Sequence, residues 1–558
     1  MAEHVAEQSR SRALGRLRFV APWFGLVLGK LWLVGGQRLT AYGSLTIDDQ
    51  WFVERASWIS SGKWLGPFEY RTLIKQPGYA MFIAAMHSVR LPLLLAEQLL
   101  YIFAIAVTIV ALHPLLPTRR RQLAAFAVLL FNPMTMHTGI SARVDRSGVY
   151  PAVLILLLSC LVALVTAAGR STRSTLAWAM AVSVSLGVVW LLREEWLLVL
   201  PALLVGLGLA TIRLFRSTIQ PLTKIISIAG IALVPMSVVI GTLWLESVNE
   251  SHYGLAITNV EQTSMSAGLG PMFRVAPVTS FEQFPITIET RQRIYTVSPH
   301  FAALREEIEQ RTDQRYFSLR PDGVRDLGGQ VFQWVVLDAI GASGGATSAR
   351  QLDSGLRSIG NEIDAACADH RLRCSGPQSG IAPAWQWSRL PRLAARTTIG
   401  LIKTVDLRAF TALSSPGDGT AADRATFERM TNEPLAPGPN DFFTRQRVHL
   451  IGATRWPYRL LLVAALLAAA GRCVVAVHQR RAPSLTMATI VSVGFALLVG
   501  RTAGLAYLDL TAFPAFAPTY LATGYAITLV VAAAIMLGQD PPHELTEVPI
   551  PDTSSQSQ

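Results

Sequence analysis

Long apolar runs separated by short charged clusters make up most of the chain. Ten runs can be delimited, at 19–36, 92–115, 123–134, 149–169, 175–192, 196–212, 225–245, 457–477, 485–506 and 514–538. A helix needs about 20 apolar residues to cross a bilayer, and most of these runs are long enough. The run at 123–134 is short and has to borrow flanking residues. The pattern predicts an α-helical polytopic membrane protein with about ten transmembrane helices.

Positive charge marks alternate connections between these runs. The basic connections are 118–121, 170–173, 213–224 and 478–481. Loops rich in Arg and Lys stay in the cytoplasm, so both termini are expected there. This orientation requires the short run 78–91 to be an interfacial or half-inserted helix. The chain is therefore predicted to be a multi-pass protein of the cytoplasmic (inner) membrane.

Composition agrees with this class and excludes another. Charged residues make up 15% of the chain and hydrophobic residues 51%, whereas a soluble protein carries about a quarter charged residues. The formal net charge of +12 at first suggests a nucleic-acid partner. Most of the Arg lies in short loops between spans, where membrane topology accounts for it, so no nucleic acid is expected.

The chain divides into four parts on this reading. An N-terminal transmembrane module covers 1–245 and carries the first outer loop, 38–78. The hydrophilic segment 246–455 is expected to form a mainly α-helical extracytoplasmic domain, with helical periodicity over 330–340 and 349–369. C-terminal transmembrane helices fill 456–538. The tail 539–558 is expected to be disordered in the cytoplasm.

Two of the four cysteines lie close together in the predicted outer domain. Cys367 and Cys374 are seven positions apart. On one continuous helix their Cα atoms would be about 10 Å apart, too far for a disulfide. A disulfide in this extracytoplasmic segment therefore requires the helix to end between them. The alternative is two buried thiols.

An acidic pair, Asp48 and Asp49, follows the first span and should lie at the outer membrane surface. From Asp49 onward the sequence has the character of an amphipathic interfacial helix. Its tryptophans, Trp51 among them, suit the headgroup layer. One Asp could serve as the N-cap of this helix, which is the structural alternative to a functional role. A cap uses one carboxylate only, so the second needs another explanation.

Further charged residues lie on the same outer face. They are Arg71 and Lys75 in the first outer loop, Arg143, Asp145 and Arg146 in the second, and Arg193 and Glu194 in a tight turn. Mixed charges of this kind are not needed to orient the helices, so they indicate a function. The alternatives are a snorkelling Lys75, a solvated loop with local ion pairs, and a charged turn between two spans.

Charged residues inside the predicted spans add candidates. Glu97 lies near the outer end of the second span, and an intramembrane carboxylate indicates function, here a contact with Lys or Arg. Arg501 and Asp509 near the outer end of the ninth span could also reach the site, or could pair with each other. No metal-binding motif is present. Asp49, Asp145 and Glu194 could hold a divalent cation only if the fold brings them together.

The acidic pair, the interfacial helix and the turn Lys75-Gln76-Pro77-Gly78-Tyr79 resemble the GT-C superfamily of polytopic membrane glycosyltransferases. This superfamily includes the protein O-mannosyltransferases and the enzyme that adds aminoarabinose to lipid A. The resemblance is clearest over residues 19–200. It implies sugar transfer with inversion from a polyprenyl-phosphate donor to a glycan, lipid or protein acceptor on the periplasmic face. Membrane lipids are the other expected partners.

The resemblance assigns roles to the charged residues. Asp48, with Asp49 as the alternate, would be the general base, because an acceptor hydroxyl loses its proton as it attacks. Lys75, Arg143, Arg146 and Arg193 would stabilise the leaving lipid phosphate, with Arg71, Glu97, Asp145 and Glu194 as further binding residues. No cofactor is firmly indicated. Two alternatives remain: a non-catalytic membrane subunit that binds a cell-envelope polymer, and a transporter of lipids or solutes.

Overall fold

Helices account for nearly all the regular structure in the computed structural model of the chain. The structure describes residues 20–278, 281–311, 317–374, 385–406, 417–435, 442–479 and 483–539. Most of the predicted tail 539–558 and the first 19 residues lie outside these ranges. The residues described form an α-helical membrane protein, as the hydrophobic pattern predicts.

The N-terminal part contains ten helices. In chain order they are α1 (Val20–Val34), α2 (Asp49–Ser60), α3 (Gly78–Ser88), α4 (Leu93–Ala111), α5 (Arg119–Leu130), α6 (Thr138–Ser141), α7 (Tyr150–Ala167), α8 (Thr172–Leu192), α9 (Leu200–Arg216) and α10 (Pro221–Tyr253). The 3₁₀ turn Glu194–Val199 leads from α8 into α9. At its far end α10 stops at Gly254, whose φ of 72° lies in the left-handed region that glycine tolerates.

The described part of the central segment contains helices of 4 to 20 residues and a small two-stranded antiparallel sheet. Its helices are α11 (Ser266–Leu269), α12 (Ile288–Tyr295), α13 (Pro299–Ala302), α14 (Arg305–Arg311), α15 (Gly329–Ala342), α16 (Ala349–Ala368), α17 (Leu390–Val405) and α18 (Ala421–Thr431). Strands β1 (Phe317–Leu319) and β2 (Arg325–Leu327) pair antiparallel, with Ser318 opposite Asp326. Three long helices complete the chain: α19 (Phe442–Gln479), α20 (Leu485–Thr511) and α21 (Pro518–Leu537).

Eight helices of the described chain are long and apolar enough to cross a membrane. They are α4, α7, α8, α9 with its preceding 3₁₀ turn, α10, α19, α20 and α21. The other two predicted spans correspond to shorter helices, since α1 is described from Val20 to Val34 and α5 has 12 residues. The total of ten spans therefore stays a prediction. Among these spanning helices α7 is the most enclosed, with 83% of its apolar stretch buried inside the protein.

The two ends of the helix bundle differ in chemistry. At one end the basic first turn of α5 packs on the end of α21, where Arg121 Nη1 donates to the carbonyl of Leu537 at 2.9 Å. At the other end α8 finishes at Leu192 and α7 begins at Tyr150, and the mixed-charge residues Arg193 and Glu194 follow directly. The acidic and basic residues singled out above therefore gather at the end away from the basic loops.

Helix α2 differs from the predicted interfacial helix in its surroundings. Trp51 is almost fully buried, and its indole N–H donates to the carbonyl of Arg71 at 2.7 Å, so it does not face lipid headgroups. Phe52 and Ala56 are buried beside it. The alternative role of an N-cap does not apply to Asp48, because its side chain makes no capping hydrogen bond in α2. The first outer loop is thus folded into the protein.

The predicted helical stripes of the central segment are confirmed by α15 and α16. On α16, Leu352, Leu356, Ile359 and Ile363 form one buried stripe, and Ser348 caps the helix by accepting from the Gln351 N–H. Helix α17 belongs to the segment predicted as an outer domain, yet it packs along α20. There Arg396 pairs with Asp509 at 3.4 Å. The division of the chain at 246 and 455 stays a prediction.

Cys367 and Cys374 form a disulfide, with Cα atoms 5.6 Å apart. The helix ends at Ala368, between the two cysteines, as the bond requires. We therefore expect alkylation of the denatured, unreduced chain to modify two thiols, Cys160 and Cys473, and alkylation after reduction to modify four. Mass spectrometry counts the added groups. The Cys367→Ser variant should show three without reduction, and four in the unreduced wild type would contradict the bond.

Candidate functional site

The acidic pair after α1 splits between two cations. Asp48 pairs with the Lys75 ammonium, which comes from the loop before α3. The turn Pro77-Gly78 positions this loop, because Gly78 packs directly against the backbone of Leu191 at the end of α8. The Asp48 side chain is 33% exposed, whereas Lys75 is 6% exposed. Asp48 therefore presents a charged oxygen at an accessible edge.

Asp49 is held quite differently. Its carboxylate is fully buried and accepts from Arg143 Nη2 at 2.6 Å and from Nε at 2.9 Å, a two-pronged contact. Two backbone hydrogen bonds set Arg143 in place: Thr40 N–H donates to Ala142 and Val144 N–H donates to Thr40. These hydrogen bonds hold the two outer loops side by side, and the ion pair between Asp49 and Arg143 fixes their relative position.

The two carboxylates differ in proton affinity. Burial alone would raise the pKa of Asp48, but the Lys75 ammonium and the Arg143 guanidinium together bring that pKa below its usual value. Burial raises the pKa of Asp49 to about 7, although Arg143 opposes the shift. Asp48 is therefore the ionised and accessible member at neutral pH, and Asp49 the enclosed one.

A second set of ion pairs lies beside the first. Arg146 Nη1 is 2.5 Å from Glu194 Oε2, and the Gln76 backbone N–H donates to Glu194 Oε1 at 3.1 Å. The Asp145 carboxylate accepts from the Ser147 N–H at 2.8 Å. Burial would raise the pKa of Asp145, but Arg143 and Arg193 lower it to about 2. This set ties the second outer loop to the turn after α8.

Arg193 is the cation of this cluster with the fewest polar contacts. It stacks between two aromatic rings, with its guanidinium carbon 5.1 Å from the Tyr150 centroid and 5.5 Å from that of Tyr520. Its nearest carboxylate oxygen, on Glu195, is 4.0 Å away. Arg501 of α20 lies on the same Tyr150 ring at 5.3 Å and is 3.7 Å from Glu195. Arg501 is thus placed with Glu195, while Asp509 is placed with Arg396.

The central segment also reaches the site. Glu261 is half-buried and accepts from Gln333 Nε2 of α15 at 3.2 Å. Burial, reinforced by Glu194, raises the pKa of Glu261 to about 7. The next residue of α15, Trp334, has its ring 6.0 Å from the Lys75 ammonium. One wall of the site therefore consists of residues from the polar segment.

Two predicted site residues lie outside this cluster of ion pairs. Arg71 pairs with Asp338 of α15, with Nη2 and Oδ1 2.7 Å apart, and so joins the first outer loop to the central segment. Glu97 accepts from the Tyr79 hydroxyl at 2.8 Å. Glu97 also lines a small cavity of 10 Å³, room for about one water molecule. No ion pair of Glu97 with Lys or Arg occurs among the described residues.

Glu261 and Gln333 carry no sequence signal, because they lie in polar stretches that resemble any soluble surface. Arg501 does carry one, since a charged side chain inside an apolar span indicates function. As for metals, within the described ranges no three His, Cys, Asp or Glu side chains form a group that could hold an ion. Asp49 and Glu194, two members of the triad considered above, each face an Arg.

Comparison with known proteins gives distant structural likenesses. No family model and no curated protein matches the chain. Two crystal structures of ArnT from Cupriavidus metallidurans are similar to it. The apo structure is 12% identical, with 94% of this chain and 78% of that chain covered at a TM-score of 0.27. The structure bound to undecaprenyl phosphate is 13% identical, with 93% and 76% covered at a TM-score of 0.26. Such low TM-scores support no conclusion about this chain's mechanism.

Proposed function

We propose that the chain is an integral membrane glycosyltransferase that moves a sugar from a polyprenyl-phosphate donor to an acceptor on the outer face of the membrane. One observation carries this proposal: an accessible carboxylate, Asp48, is paired with Lys75 beside a buried set of Arg side chains. Sugar transfer needs a base for the acceptor and cations for the leaving phosphate, next to each other. The GT-C resemblance of the first outer loop points to the same reaction.

Asp48 is the proposed general base. The acceptor oxygen attacks the anomeric carbon, and its proton passes to an Asp48 oxygen. The bond from that carbon to the phosphate oxygen breaks, and its electron pair leaves with the lipid phosphate. Because attack and departure occur on opposite faces, the anomeric configuration inverts. A lowered pKa makes Asp48 a weak base at rest. A donor phosphate that attracts Lys75 would weaken the ion pair and make Asp48 more basic.

Asp49 has a different proposed role. It is fully buried against Arg143 and has no exposed oxygen to offer an acceptor. Its position makes it a positioning residue that fixes the two outer loops and, through them, Asp48. The cations Lys75, Arg143, Arg146 and Arg193 supply the positive field into which the phosphate leaves.

The central segment is proposed to roof the site and to select the acceptor. Glu261, Gln333 and Trp334 supply a carboxyl group, an amide and an aromatic face near Lys75. These groups suit a hydroxyl-rich acceptor, because amides and carboxyls bind hydroxyl groups. The mixed-charge end of the bundle would face the periplasm, since the basic loops at the other end favour the cytoplasm.

The direct test is transfer of radiolabelled sugar in membrane vesicles that contain labelled polyprenyl-phosphate sugars. We expect label to reach an acceptor in vesicles with the chain and not in matched vesicles without it. A non-catalytic subunit would bind polymer without moving label. A transporter would move the labelled lipid across the membrane with its sugar still attached, and either result would overturn the proposal.

A further inference from the structure

Five buried polar atoms around Glu195 lack hydrogen bonds. They are Nε and Nη1 of Arg193, Nε and Nη1 of Arg501, and the hydroxyl oxygen of Tyr150, none of which has a partner within the described chain. The Arg501 side chain is 1% exposed and the Arg193 side chain 6%. Buried donors are nearly always satisfied in folded proteins, because each unmade hydrogen bond costs free energy. Five such atoms in one place form a concentrated set of polar groups that an anionic ligand could satisfy.

The same group holds two cations and, within 4.0 Å of both, one carboxylate of the described chain, Glu195, while Asp145 acts on Arg193 from further away. Both guanidinium groups lie on the Tyr150 ring, at 5.1 and 5.3 Å from its centroid. The one carboxylate between them, Glu195, has its Oε2 at 4.0 Å from Arg193 and 3.7 Å from Arg501, beyond hydrogen-bonding distance. That Oε2 is itself without a hydrogen bond among the described residues. Two cations thus face one anion that satisfies neither.

The remaining cations of the site differ in this respect. Lys75, Arg143 and Arg146 each have a carboxylate within 2.6 Å or less, on Asp48, Asp49 and Glu194 respectively. A new anion would have to break an existing ion pair to bind any of these three. At Arg193 and Arg501 it would replace contacts that are too long to be hydrogen bonds.

We propose that Arg193, Arg501 and Tyr150 form a seat for one lipid-linked phosphate group, and that Glu195 occupies this seat until the phosphate displaces it. Guanidinium forks and a hydroxyl donor match phosphate oxygens, and two Arg neutralise a phosphate better than one. The proposal deepens the proposed function by assigning the phosphate of the donor to this seat. It makes Arg501, from the last pair of membrane helices, a phosphate-binding residue.

The position of the seat fits its role. Tyr150 opens α7, Arg193 follows α8, and Tyr520 lies in the first turn of α21, so the seat lies among the ends of membrane helices. Arg193 also acts electrostatically on Asp145, and Asp145 acts on Asp48. A phosphate there would belong to the same electrostatic cluster as the proposed base, Asp48. The same chemistry would accept the headgroup of an ordinary anionic phospholipid, which the test must separate.

The test is titration of the purified full-length protein in nanodiscs with undecaprenyl phosphate, followed by native mass spectrometry. We expect Arg501→Met to weaken binding about tenfold or more. Glu195→Gln should instead strengthen it several-fold, because the competing carboxylate loses its charge. Arg459→Gln is the matched control: this Arg of α19 pairs with Asp406 at 2.9 Å, away from the seat, and its loss should leave binding unchanged.

The opposite signs of the two variants separate a phosphate seat from a structural role, since a merely destabilised protein would not bind more tightly. Arg501→Lys is a control for misfolding, because it keeps the positive charge and loses the planar guanidinium group. Its affinity for undecaprenyl phosphate should lie between those of wild type and Arg501→Met. Equal binding by all variants would overturn the seat. A parallel titration with phosphatidylglycerol should show little dependence on Arg501; equal dependence would assign the seat to ordinary lipid headgroups and overturn its link to the donor.

Binding here is measured without transfer, so the two proposals can fail separately. If lipid binding depends on Arg501 but the protein transfers no sugar, the proposal of the phosphate seat stands and the proposal of a glycosyltransferase fails. If the protein transfers sugar but its lipid binding does not depend on Arg501, the proposal of a glycosyltransferase stands and the proposal of the seat fails.

Discussion

Replacement of Asp48 by Asn is expected to lower the rate of sugar transfer at least about a hundredfold, the usual contribution of a positioned general base. Asn keeps the shape of the side chain but cannot accept the proton of the acceptor hydroxyl. The loss should appear in kcat, because Asp48 acts on the reacting oxygen and does not hold the lipid. Initial rates of label transfer in vesicles, at several donor concentrations, separate kcat from KM.

Two comparisons sharpen this result. Asp369→Asn changes an exposed Asp of the central segment, with a side chain that is 64% exposed, and should leave the rate unchanged. Asp49→Asn should lower the rate less than Asp48→Asn does, because the buried partner of Arg143 acts through position. Full activity in Asp48→Asn would remove this residue from the chemistry, and a larger loss in Asp49→Asn would exchange the two roles.

The Arg143→Met variant is expected to be destabilised by about 3–5 kcal/mol at alkaline pH, the usual effect of leaving a buried charge without its partner. The effect should depend on pH. The pKa of Asp49 is raised to about 7 in the folded protein, above its ordinary value of 3.8. The folded protein therefore binds a proton that the unfolded chain releases, and the contribution of Asp49 to stability falls as pH rises from about 4 to 7. Without Arg143 this pKa rises further, so the fall continues above pH 7.

Thermal unfolding of the detergent-solubilised protein at pH 5 and pH 8 measures this. The midpoints of wild type and Arg143→Met should lie close together at pH 5, where Asp49 is protonated in both, and far apart at pH 8. The double variant Asp49→Asn/Arg143→Met should recover most of the loss at pH 8. Arg357→Met, which removes an exposed Arg that pairs with Asp353 within one helix, should change the midpoint little at either pH. A deficit that is equal at both pH values would contradict the account.

Continuous apolar runs predicted the membrane helices well, because length and hydropathy are local properties of the sequence. Eight runs coincide with spanning helices. The same signal missed how far two helices continue: α10 reaches Tyr253 and α19 begins at Phe442, both beyond the apolar part. A polar helical extension has no hydropathy peak to reveal it. The docking of α17 on α20 was missed because it depends on tertiary packing.

The candidate site was predictable as a set of residues and unpredictable as a set of pairs. Asp48, Asp49, Lys75, Arg143, Arg146 and Glu194 were all selected from the sequence, because mixed charges at the ends of apolar spans need an explanation. Which carboxylate meets which cation depends on how the outer loops fold over each other. Burial of Trp51 shows the same limit, since its spacing suits a membrane surface and a protein core equally well.

The proposed phosphate seat has a consequence for how the protein is made. Asp48 leaves the ribosome early, whereas Arg501 and Tyr520 follow about 450 residues later. At about 5–20 residues per second, that interval lasts tens of seconds. During this interval the nascent chain carries its acidic pair, Asp48 and Asp49, without the helices that complete the seat. On this proposal the half-inserted chain is inactive, and the seat is complete for a lipid phosphate only once the last pair of helices has been inserted.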